Sequence, residues 1–376
     1  MRKKIKYILI NISEILLHIF WIFPIKKRIF FISHNGTQYS CNPKYIYEYI
    51  NYKLLLNYDY IWCLNNNTLN ENNIEIVKYK SLKYYYLILT SKIIISNDLI
   101  SSNLPLRKSQ KYIETWHGGG AYKKTGKDVY SSKYEKLQVK KISNKMTYFI
   151  SSSSFVTKTK SEGYNIDRNK MLEIGMPRND IFFKANDDIK DKVHKYFNIP
   201  QNVKIVLYAP TFRRYSSYNP LSELNIPNVL FNLNEKFNEK WCLVYRLHRL
   251  LDNENINIKN VYDANDYPDV QELLVASDIL ITDFSSIMWD FSLQYKPIFC
   301  FVPDILNFKS EDFFTQPEEW PGLLAYSNEM LIKQIINFKE QIYLDKVKRH
   351  HQKHNSFENG TATEKISELV IKYMDE

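Results

Sequence analysis

The chain has 376 residues, 44% of them hydrophobic, which is enough to bury a full core and favours two domains over one. Lysine and arginine outnumber aspartate and glutamate by 51 to 41, so the formal net charge is +10 and an anionic partner is expected. The basic residues are scattered, which argues against a nucleic-acid-binding protein, and the four cysteines lack metal-ligand spacing and predict reduced, buried thiols.

Residues 1–24 form the first predicted element, a basic amphipathic helix. Apolar residues recur at helical spacing from Ile5 to Phe23, with basic residues on both sides. A spanning helix needs about 20 mostly apolar residues, and polar residues interrupt this run at Asn11, Glu14 and His18. The pattern therefore favours a helix lying on an anionic membrane surface. A helix that packs on the core of the first domain remains an alternative, and a single-pass anchor is less favoured.

Past Pro24, short apolar strands alternate with helical segments. The predicted strands of the first half are Ile29–Ser33, Tyr60–Leu64, Ile74–Tyr79, Lys92–Ser96, Tyr112–Thr115 and Tyr148–Ser151. This alternation predicts right-handed crossovers and a parallel sheet with helices on both faces.

A break at Glu173–Asp180 (EIGMPRND), followed by the polar stretch Lys184–Pro200, separates this half from a second series of strands. Those strands are predicted at Lys204–Tyr208, Cys242–Tyr245, Asn260–Asp263, Ile279–Thr282 and Pro297–Val302. The simplest α/β architecture is two Rossmann-like domains facing a central cleft, residues 25–185 and 186–354, with a segment from about 355 to 376 packing back on the first. The pattern alone does not distinguish this from one large sheet. Ligands of such sheets collect at the carboxyl ends of strands.

The segment Ser277–Pro297 carries the clearest phosphate-binding pattern. An apolar run ends in Thr282-Asp283-Phe284-Ser285-Ser286, and an amphipathic segment follows, which predicts a buried strand, a tight loop and a helix start. A helix start has unpaired N–H groups and a partial positive charge, so it attracts phosphate, and the two serines would add donors. Taken alone, the stretch fits an ordinary N-cap equally well.

A histidine and three glycines follow the predicted strand Tyr112–Thr115, in the sequence KYIETWHGGGAYKKTGK. His117 is a candidate general base, because the pKa of a histidine lies near neutral pH and the glycines let a ligand approach. Lys123 and Lys124 would add positive potential. An isolated histidine is more often a structural hydrogen-bonding residue, but the position in a loop after a strand favours function.

Arginines follow two strands of the second half. Arg213 and Arg214 end the segment YAPTFRR, while Arg246 and His248 lie in VYRLHR. Guanidinium groups match phosphate oxygens with two parallel hydrogen bonds. Together, the strand ends present arginine, histidine, aspartate and paired serines, which suit the binding and transfer of a phosphoryl group.

In their order along the chain, these motifs resemble the CDP-glycerol glycerophosphotransferase family of teichoic-acid primases and polymerases. The resemblance spans roughly residues 29 to 370. It rests on Asn42-Pro43-Lys44-Tyr45, Trp116-His117-Gly118 with Lys123-Lys124-x-Gly126, Gly175-x-Pro177-Arg178-Asn179-Asp180, Tyr208-Ala209-Pro210-Thr211-Phe212-Arg213, Arg246-x-His248, Ser277 to Ser286, Lys296-Pro297-Ile298 and Glu358-Asn359-Gly360.

The resemblance implies a GT-B-like pair of Rossmann domains and association with the cytoplasmic face of the membrane through the N-terminal helix. It implies transfer of a polyol phosphate, glycerol phosphate by preference, from a CDP-polyol to a hydroxyl of a lipid-linked or polymeric acceptor, with release of CMP, in the synthesis of a teichoic-acid-like or capsular polymer. The expected partners are therefore the CDP-polyol, the acceptor and an anionic membrane surface; no cofactor or metal is expected.

Carried over by position, the resemblance implies two catalytic residues. His117 would deprotonate the acceptor hydroxyl, and His248 would act with arginines on the diphosphate of the leaving CMP. The implied substrate-binding residues are Gly118, Lys123, Arg178, Asn179, Arg213, Arg246, Thr282, Asp283, Ser285 and Ser286.

The chain departs from the family pattern in three places. Gly119-Gly120-Ala121 stand where Thr-Pro-Leu is expected, Arg249 replaces a proline, and Glu358-Asn359 replace the usual aspartate before Gly360. The first change puts the choice of acceptor in doubt, and the last weakens any role for an acid there. Two other functions are considered: a sugar-nucleotide-dependent glycosyltransferase of the same architecture, and a catalytically inactive nucleotide-binding or scaffolding protein of the same pathway.

Overall fold

A computed structural model describes residues 2–56, 58–66, 74–130, 132–184, 186–211, 220–247, 258–307 and 312–376. The chain divides into two compact units. The first comprises Met1–His117, Thr125–Asp180 and Ser356–Glu376, and the second comprises Gly118–Lys124 and Ile181–Asn355.

The first unit is built on a parallel sheet. Its strands are β1 (Lys26–Ile32), β2 (Asp59–Cys63), β3 (Ile74–Val77), β4 (Ser91–Ser96), β5 (Lys111–Glu114), β6 (Tyr148–Ser151) and β7 (Met171–Glu173). In the described part of the chain they pair in the order β3-β2-β1-β4-β5-β6-β7. The central strands β1 and β4 are apolar and buried on both faces, as expected when helices cover both sides of a parallel sheet.

The first unit also contains helices, most of which cover this sheet. They are α1 (Arg2–Leu17), α2 (Cys41–Glu48), α3 (Leu82–Thr90), α4 (Lys133–Lys145), α5 (Ser154–Tyr164) and α13 (Ala362–Asp375). One buried apolar cluster includes Phe30 and Phe149, and the other includes Phe31 and Ile366. Because Ile366 lies in α13, the last helix of the chain completes the core of the first unit.

The second unit has a parallel sheet of its own. Its strands are β8 (Val203–Ala209), β9 (Lys240–Tyr245), β10 (Val261–Asp263), β11 (Ile279–Thr282), β12 (Ile298–Phe301) and β13 (Leu323–Ala325). The described strands pair in the order β10-β9-β8-β11-β12-β13. Its helices are α6 (Asp187–Phe197), α7 (Pro220–Glu223), α8 (Ile226–Phe237), α9 (Val270–Ala276), α10 (Ile287–Ser292), α11 (Asn328–Ile336) and α12 (Glu340–His354).

The prediction of an unbroken first domain, residues 25–185, is wrong at Gly118–Lys124, which packs in the second unit. A Cβ added to Gly119 would lie 2.1 Å from the ring of Trp289, so only glycine lets the backbone pass there. The buried Tyr122 brings its hydroxyl 3.1 Å from His350 Nε2. Packing against distant residues, which local patterns do not report, therefore sets this boundary.

Helix α1 turns its polar side toward the protein and its apolar side outward. Glu14 accepts hydrogen bonds from Lys141 (2.6 Å) and Lys145 (3.1 Å) of α4, and Lys141 also donates to Asn11. A 3₁₀ turn, His18–Ile22, follows α1 and continues its outward face. Four apolar residues of this face are 62–72% exposed: Ile15 70%, Leu16 68%, Ile19 62% and Ile22 72%. Two of the polar residues that interrupt the apolar run, Asn11 and Glu14, thus pair with α4, while Leu17 and Phe20 pack on the core of the first unit.

Among the described residues, Lys3–Ile22 is the one helical stretch long and apolar enough to cross a membrane by length and composition, and its most apolar window is 0% buried. All four cysteines are buried, and none forms a disulfide.

Candidate active site

His117 lies at the carboxyl edge of the first sheet, where the loops after β4 and β5 meet. Its Nδ1 is 2.8 Å from the carbonyl oxygen of Asn97 and 3.1 Å from Oδ1 of Asp98. Two acceptors at Nδ1 fix the hydrogen on that nitrogen, so Nε2 carries the lone pair. The side chain is 38% exposed, so a substrate hydroxyl can reach it. This is the arrangement of an oriented general base.

Asp98 also sets the basicity of His117. Burial lowers the pKa of His117, but the hydrogen bond to Asp98 and its negative charge outweigh burial, so that the pKa lies above its usual value. For Asp98 the effects have the opposite signs. Burial raises the pKa of the carboxyl, but the hydrogen bond and charge of His117, together with the charge of His34, lower it overall. His34 Nδ1 lies 3.8 Å from the other oxygen of Asp98. Sequence reasoning missed Asp98, although its position after β4, the neighbour of β5, was a usable signal.

Replacing Asp98 with asparagine should lower the pKa of His117, because the charge that favours the imidazolium is lost. His117 accepts a proton only when neutral, so the acid limb of kcat against pH should move to lower pH. Weaker orientation should also reduce turnover by roughly 10- to 100-fold. The measurement is a pH profile of CMP release, with Asp128→Asn, an exposed aspartate of the same unit, as the control. If the acid limb of the Asp98→Asn profile lay at the same pH as in the parent protein, Asp98 would not set the pKa of His117.

Trp116 holds the loop that carries His117 in a fixed and strained shape. Its φ of 56° lies in the left-handed region, which is unfavourable for a bulky residue. Glu114 Oε1 accepts its N–H at 2.9 Å, and Asn42 Nδ2 donates to its carbonyl oxygen at 2.9 Å. The indole stacks on the His117 ring, with centroids 4.7 Å apart. The base is therefore positioned before any substrate binds.

A buried lysine contacts the Trp116 ring of this stack. Lys160 Nζ lies 4.4 Å from the Trp116 ring centroid and donates to Thr125 Oγ1 at 2.9 Å. Burial lowers the pKa of Lys160 to about 7. Trp116 and Thr125 flank the segment that joins the second unit, so Lys160 fixes both points where the chain leaves and re-enters the first unit.

In the second unit, Lys123 lies beside the predicted phosphate loop. Its ammonium nitrogen is 3.5 Å from the centroid of the Phe284 ring. In the sequence, Phe284 stands between Asp283 and Ser285. The structure thus brings together two motifs predicted separately, the lysine after the glycines and the loop after β11. Gly118 is buried at the start of the same segment.

Ser285 and Ser286 begin helix α10 and are both half-buried. Ser285 Oγ accepts the N–H of Ile287 at 3.4 Å, a long N-cap interaction. Ser286 is the N-cap residue by backbone position but makes no side-chain cap hydrogen bond. An ordinary N-cap therefore explains the side-chain hydrogen bond of Ser285 only weakly. It does not explain Ser286, whose hydroxyl makes no cap hydrogen bond.

Thr282 and Asp283 make hydrogen bonds that shape the loop, and their assignment to substrate binding stays a prediction. Thr282 is fully buried, and its hydroxyl donates to the carbonyl oxygen of Ala209 at 2.6 Å. Asp283 Oδ2 accepts both the N–H and the hydroxyl of Thr211 at 2.8 Å. These bonds join the carboxyl ends of β8 and β11, so both residues shape the loops from beneath.

Arg246 is only partly available at the end of β9. Its Nη1 donates to the carbonyl oxygens of Ala264 (3.0 Å) and Tyr267 (2.5 Å), which orders the loop after β10. A role for its guanidinium at a diphosphate stays a prediction. Arg213, Arg214 and His248 lie outside the described residues.

Arg178 and Asn179 are buried in the joint that ties residues 356–376 to the first unit, and their assignment to substrate binding stays a prediction. Asn179 is fully buried and donates to Glu358 Oε1 at 2.9 Å, while Glu358 Oε2 accepts the N–H of Met176. Arg178 Nη1 contacts Cys41 Sγ at 3.2 Å. The acid of the closing motif is therefore Glu358. Its carboxylate holds residues 356–376 on the rest of the first unit through these hydrogen bonds.

Asp180 completes this joint by capping α13, since its two oxygens accept the N–H groups of Ala362 (3.1 Å) and Thr363 (2.7 Å). Asp180→Ala should therefore lower the free energy of unfolding by about 1–2 kcal/mol, with near-normal turnover per folded molecule. Chemical denaturation measures the first and CMP release the second. Asp167→Ala, which removes the cap of a short exposed turn, should have a smaller effect on stability. If Asp180→Ala lost turnover without losing stability, a substrate-binding role for the motif that contains Asp180 would be favoured.

A family model described as CDP-Glycerol:Poly(glycerophosphate) glycerophosphotransferase matches residues 15–372. The chain belongs to this family. The resemblance seen in the sequence is thereby confirmed.

Three curated relatives of this chain are informative. The teichoic acid poly(glycerol phosphate) polymerase of Staphylococcus epidermidis is 32% identical over 93% of this chain and 51% of its own length. The polymerase of the same description from Bacillus spizizenii is 29% identical over 98% of both chains. The teichoic acid glycerol-phosphate transferase of Staphylococcus aureus is 28% identical over 93% of this chain and 94% of its own. The chain therefore spans about half of the first relative and nearly all of the other two.

Among solved structures, the wall teichoic acid polymerase TagF superposes with a TM-score of 0.85 at 28% identity, over 100% of this chain and 97% of that chain. That structure is a histidine-to-asparagine variant soaked with CDPG. Staphylococcus aureus MnaA with UDP, at 14% identity and a TM-score of 0.52, shares the fold alone. The expectation of two parallel-sheet α/β domains of GT-B-like type is confirmed.

Within the described residues, no group of three or more His, Cys, Asp or Glu side chains is placed to hold a metal ion. The expectation that the reaction needs neither metal nor cofactor stays a prediction.

Proposed function

We propose that this protein transfers glycerol phosphate from CDP-glycerol to a hydroxyl of a lipid-linked or polymeric acceptor, with release of CMP, in the synthesis of a teichoic-acid-like or capsular polymer. The observation that carries the proposal is the Asp98-oriented His117 in a chain that matches the glycerophosphotransferase family from residue 15 to 372.

The first unit supplies the base. Nε2 of His117 takes the proton of the acceptor hydroxyl, and the oxygen attacks the phosphorus that bears the glycerol. A new phosphate ester bond forms, and the bond from that phosphorus to the oxygen of the CMP phosphate breaks. The electron pair of the broken bond leaves with CMP, so negative charge grows on the leaving group and must be stabilised.

The second unit supplies groups for that charge. Lys123 beside Phe284 contributes an ammonium group, and the start of α10 contributes N–H groups and the hydroxyl of Ser286. Arg246, at the end of β9, stands on the same carboxyl edge of the sheet. The three glycerol-phosphate relatives and the CDPG-soaked polymerase support CDP-glycerol as the donor.

The site of action is proposed to be the cytoplasmic face of the membrane, where α1 holds the protein as a peripheral component. The outward face of α1 and the following turn exposes several neighbouring apolar side chains, which is unfavourable in water. The acidic and amide side chains of α1 are paired with α4, which leaves the outward face apolar and suited to the interfacial region of a bilayer.

The test is nucleotide release from a panel of donors with and without a short phosphodiester acceptor. CDP-glycerol should release CMP only when the acceptor is present, and the product should be one glycerol phosphate longer by mass. CDP-ribitol serves as the matched polyol donor, and UDP- and GDP-sugars test the glycosyltransferase alternative. Release of UDP or GDP with transfer of a sugar would overturn the proposal. CDP-glycerol binding without turnover on any acceptor would favour the scaffolding alternative.

A further inference from the structure

A pocket of about 610 Å³ opens at the amino ends of β1, β2 and β3. Because the strands are parallel, this edge of the first sheet is opposite to the edge that carries His117. The pocket has a basic and aromatic lining with two carboxylates, from Lys26, Arg28, Lys83, Tyr58, Tyr60, Tyr86, Asp59 and Glu75. Nothing in the proposed transfer reaction uses these residues.

Arg28 is the residue that calls for a ligand. It is only 4% exposed and lines the pocket. Its guanidinium carbon lies 5.8 Å from the centroid of the Tyr86 ring, and in the described part of the chain its guanidinium has neither a hydrogen bond nor an ion pair. A buried cation without an anion is unfavourable, so an anion is the group that this pocket lacks.

The charges around Arg28 favour the same ligand. Glu75 is neutralised by Lys83, whose nitrogen lies 2.7 Å from the carboxylate. Asp59 is the register partner of Arg28 across β1 and β2, but its side chain is exposed and, among the described residues, makes no ion pair with the guanidinium. Lys26, the first residue of β1, adds an exposed cation beside Arg28. A guanidinium with a nearby ammonium matches a phosphate group, which can accept two parallel hydrogen bonds from the guanidinium.

The pocket also adjoins the end of the 3₁₀ turn His18–Ile22, which follows α1. Tyr86, which lines it, packs edge-on against Phe23 at 5.2 Å between centroids. Phe23 and Ile22 are exposed beside it and continue the apolar face of α1. We propose that this pocket binds the phosphate headgroup of an anionic membrane lipid. This inference rests on the membrane part of the proposed function and gives it a specific site.

Lys26 and Lys27 provide a matched pair of variants, because both are exposed single cations and only Lys26 lines the pocket. Binding of the full chain is measured on phosphatidylcholine vesicles with and without phosphatidylglycerol. Removal of one basic residue near a charged surface costs about fivefold in affinity, which is the loss expected for Lys27→Met. Lys26→Met should lose at least about tenfold, and Arg28→Met roughly 10- to 100-fold. On phosphatidylcholine alone, the variants should bind like the parent protein.

Arg28→Lys keeps the charge and should recover part of the binding lost in Arg28→Met. The Lys26 and Lys27 pair decides the question even if Arg28→Met fails to fold. Equal losses in Lys26→Met and Lys27→Met would overturn the headgroup site. Soluble glycerol phosphate should compete poorly; if it binds tightly without vesicles and loses affinity in Lys26→Met, the ligand is a free phosphate ester rather than a lipid. CMP release on a soluble acceptor should be unchanged in all variants, so that failure of this site is separate from failure of the transferase proposal.

Discussion

Turnover should fall by ~2 to 4 orders of magnitude when His117 is replaced by alanine. Alanine removes the nitrogen assigned to take the acceptor proton in the proposed step, and the acceptor alcohol must then attack without that activation. The KM for CDP-glycerol should change little, because donor binding is assigned to groups of the second unit. Steady-state CMP release with saturating acceptor measures both quantities.

The control for this prediction is His18→Ala, which removes another histidine outside the site, at the first position of the 3₁₀ turn that follows α1. Its turnover should equal that of the parent protein. Added imidazole should restore part of the activity of His117→Ala, since the side chain it replaces is accessible to solvent. Near-normal turnover in His117→Ala would remove the base assignment, whatever its thermal stability.

Membrane binding should be lost when the outward face of α1 is made acidic. The triple variant Ile15→Glu, Leu16→Glu and Ile19→Glu changes only exposed side chains, so the contacts of Glu14 with α4 persist. Full burial of an isoleucine or leucine side chain is worth about 1.5–3 kcal/mol, so three of them contribute at least about 4.5 kcal/mol, or ~10³-fold in partition. Repulsion from anionic lipid adds to the loss.

Sedimentation with vesicles measures this partition. A matched control replaces three exposed apolar residues of the second unit, Tyr196, Phe231 and Ile336, with glutamate, and it should pellet like the parent protein. Both triple variants should release CMP normally with a soluble acceptor. If the α1 variant still pellets with the membranes, the helix is not the anchor, and the peripheral assignment fails with it.

Much of the fold was predictable because strands in a parallel sheet are short apolar runs between polar turns. The predicted strands Tyr148–Ser151 and Ile279–Thr282 coincide with β6 and β11, and Lys92–Ser96 differs from β4 by one residue at its start. These segments are buried on both faces, so their composition alone sets them apart from the helices. The position of His117 at the carboxyl edge of the sheet was predictable for the same reason, since it lies three residues after the end of β5.

The roles of several polar residues were not predictable from local pattern. Asn179 lies in a loop motif that suggests ligand binding, yet its partner Glu358 is distant in sequence and closes the joint only after the chain has folded. Thr282 follows a strand like a ligand-binding hydroxyl, but a neighbouring strand takes its hydrogen bond. Asp98 and His117 show the converse, since neighbouring parallel strands place an acid and a base together without any sequence motif.

The interleaving of the two units has a consequence for biosynthesis. The N-terminal unit needs Ala362–Asp375 for its core and for the cap at Asp180, whereas every segment of the other unit has been translated by Asn355. On the ribosome, the unit that starts the chain is therefore the last to receive all its parts. Until then its apolar strands stay partly uncovered, and a single cut in the gene cannot yield two self-sufficient halves.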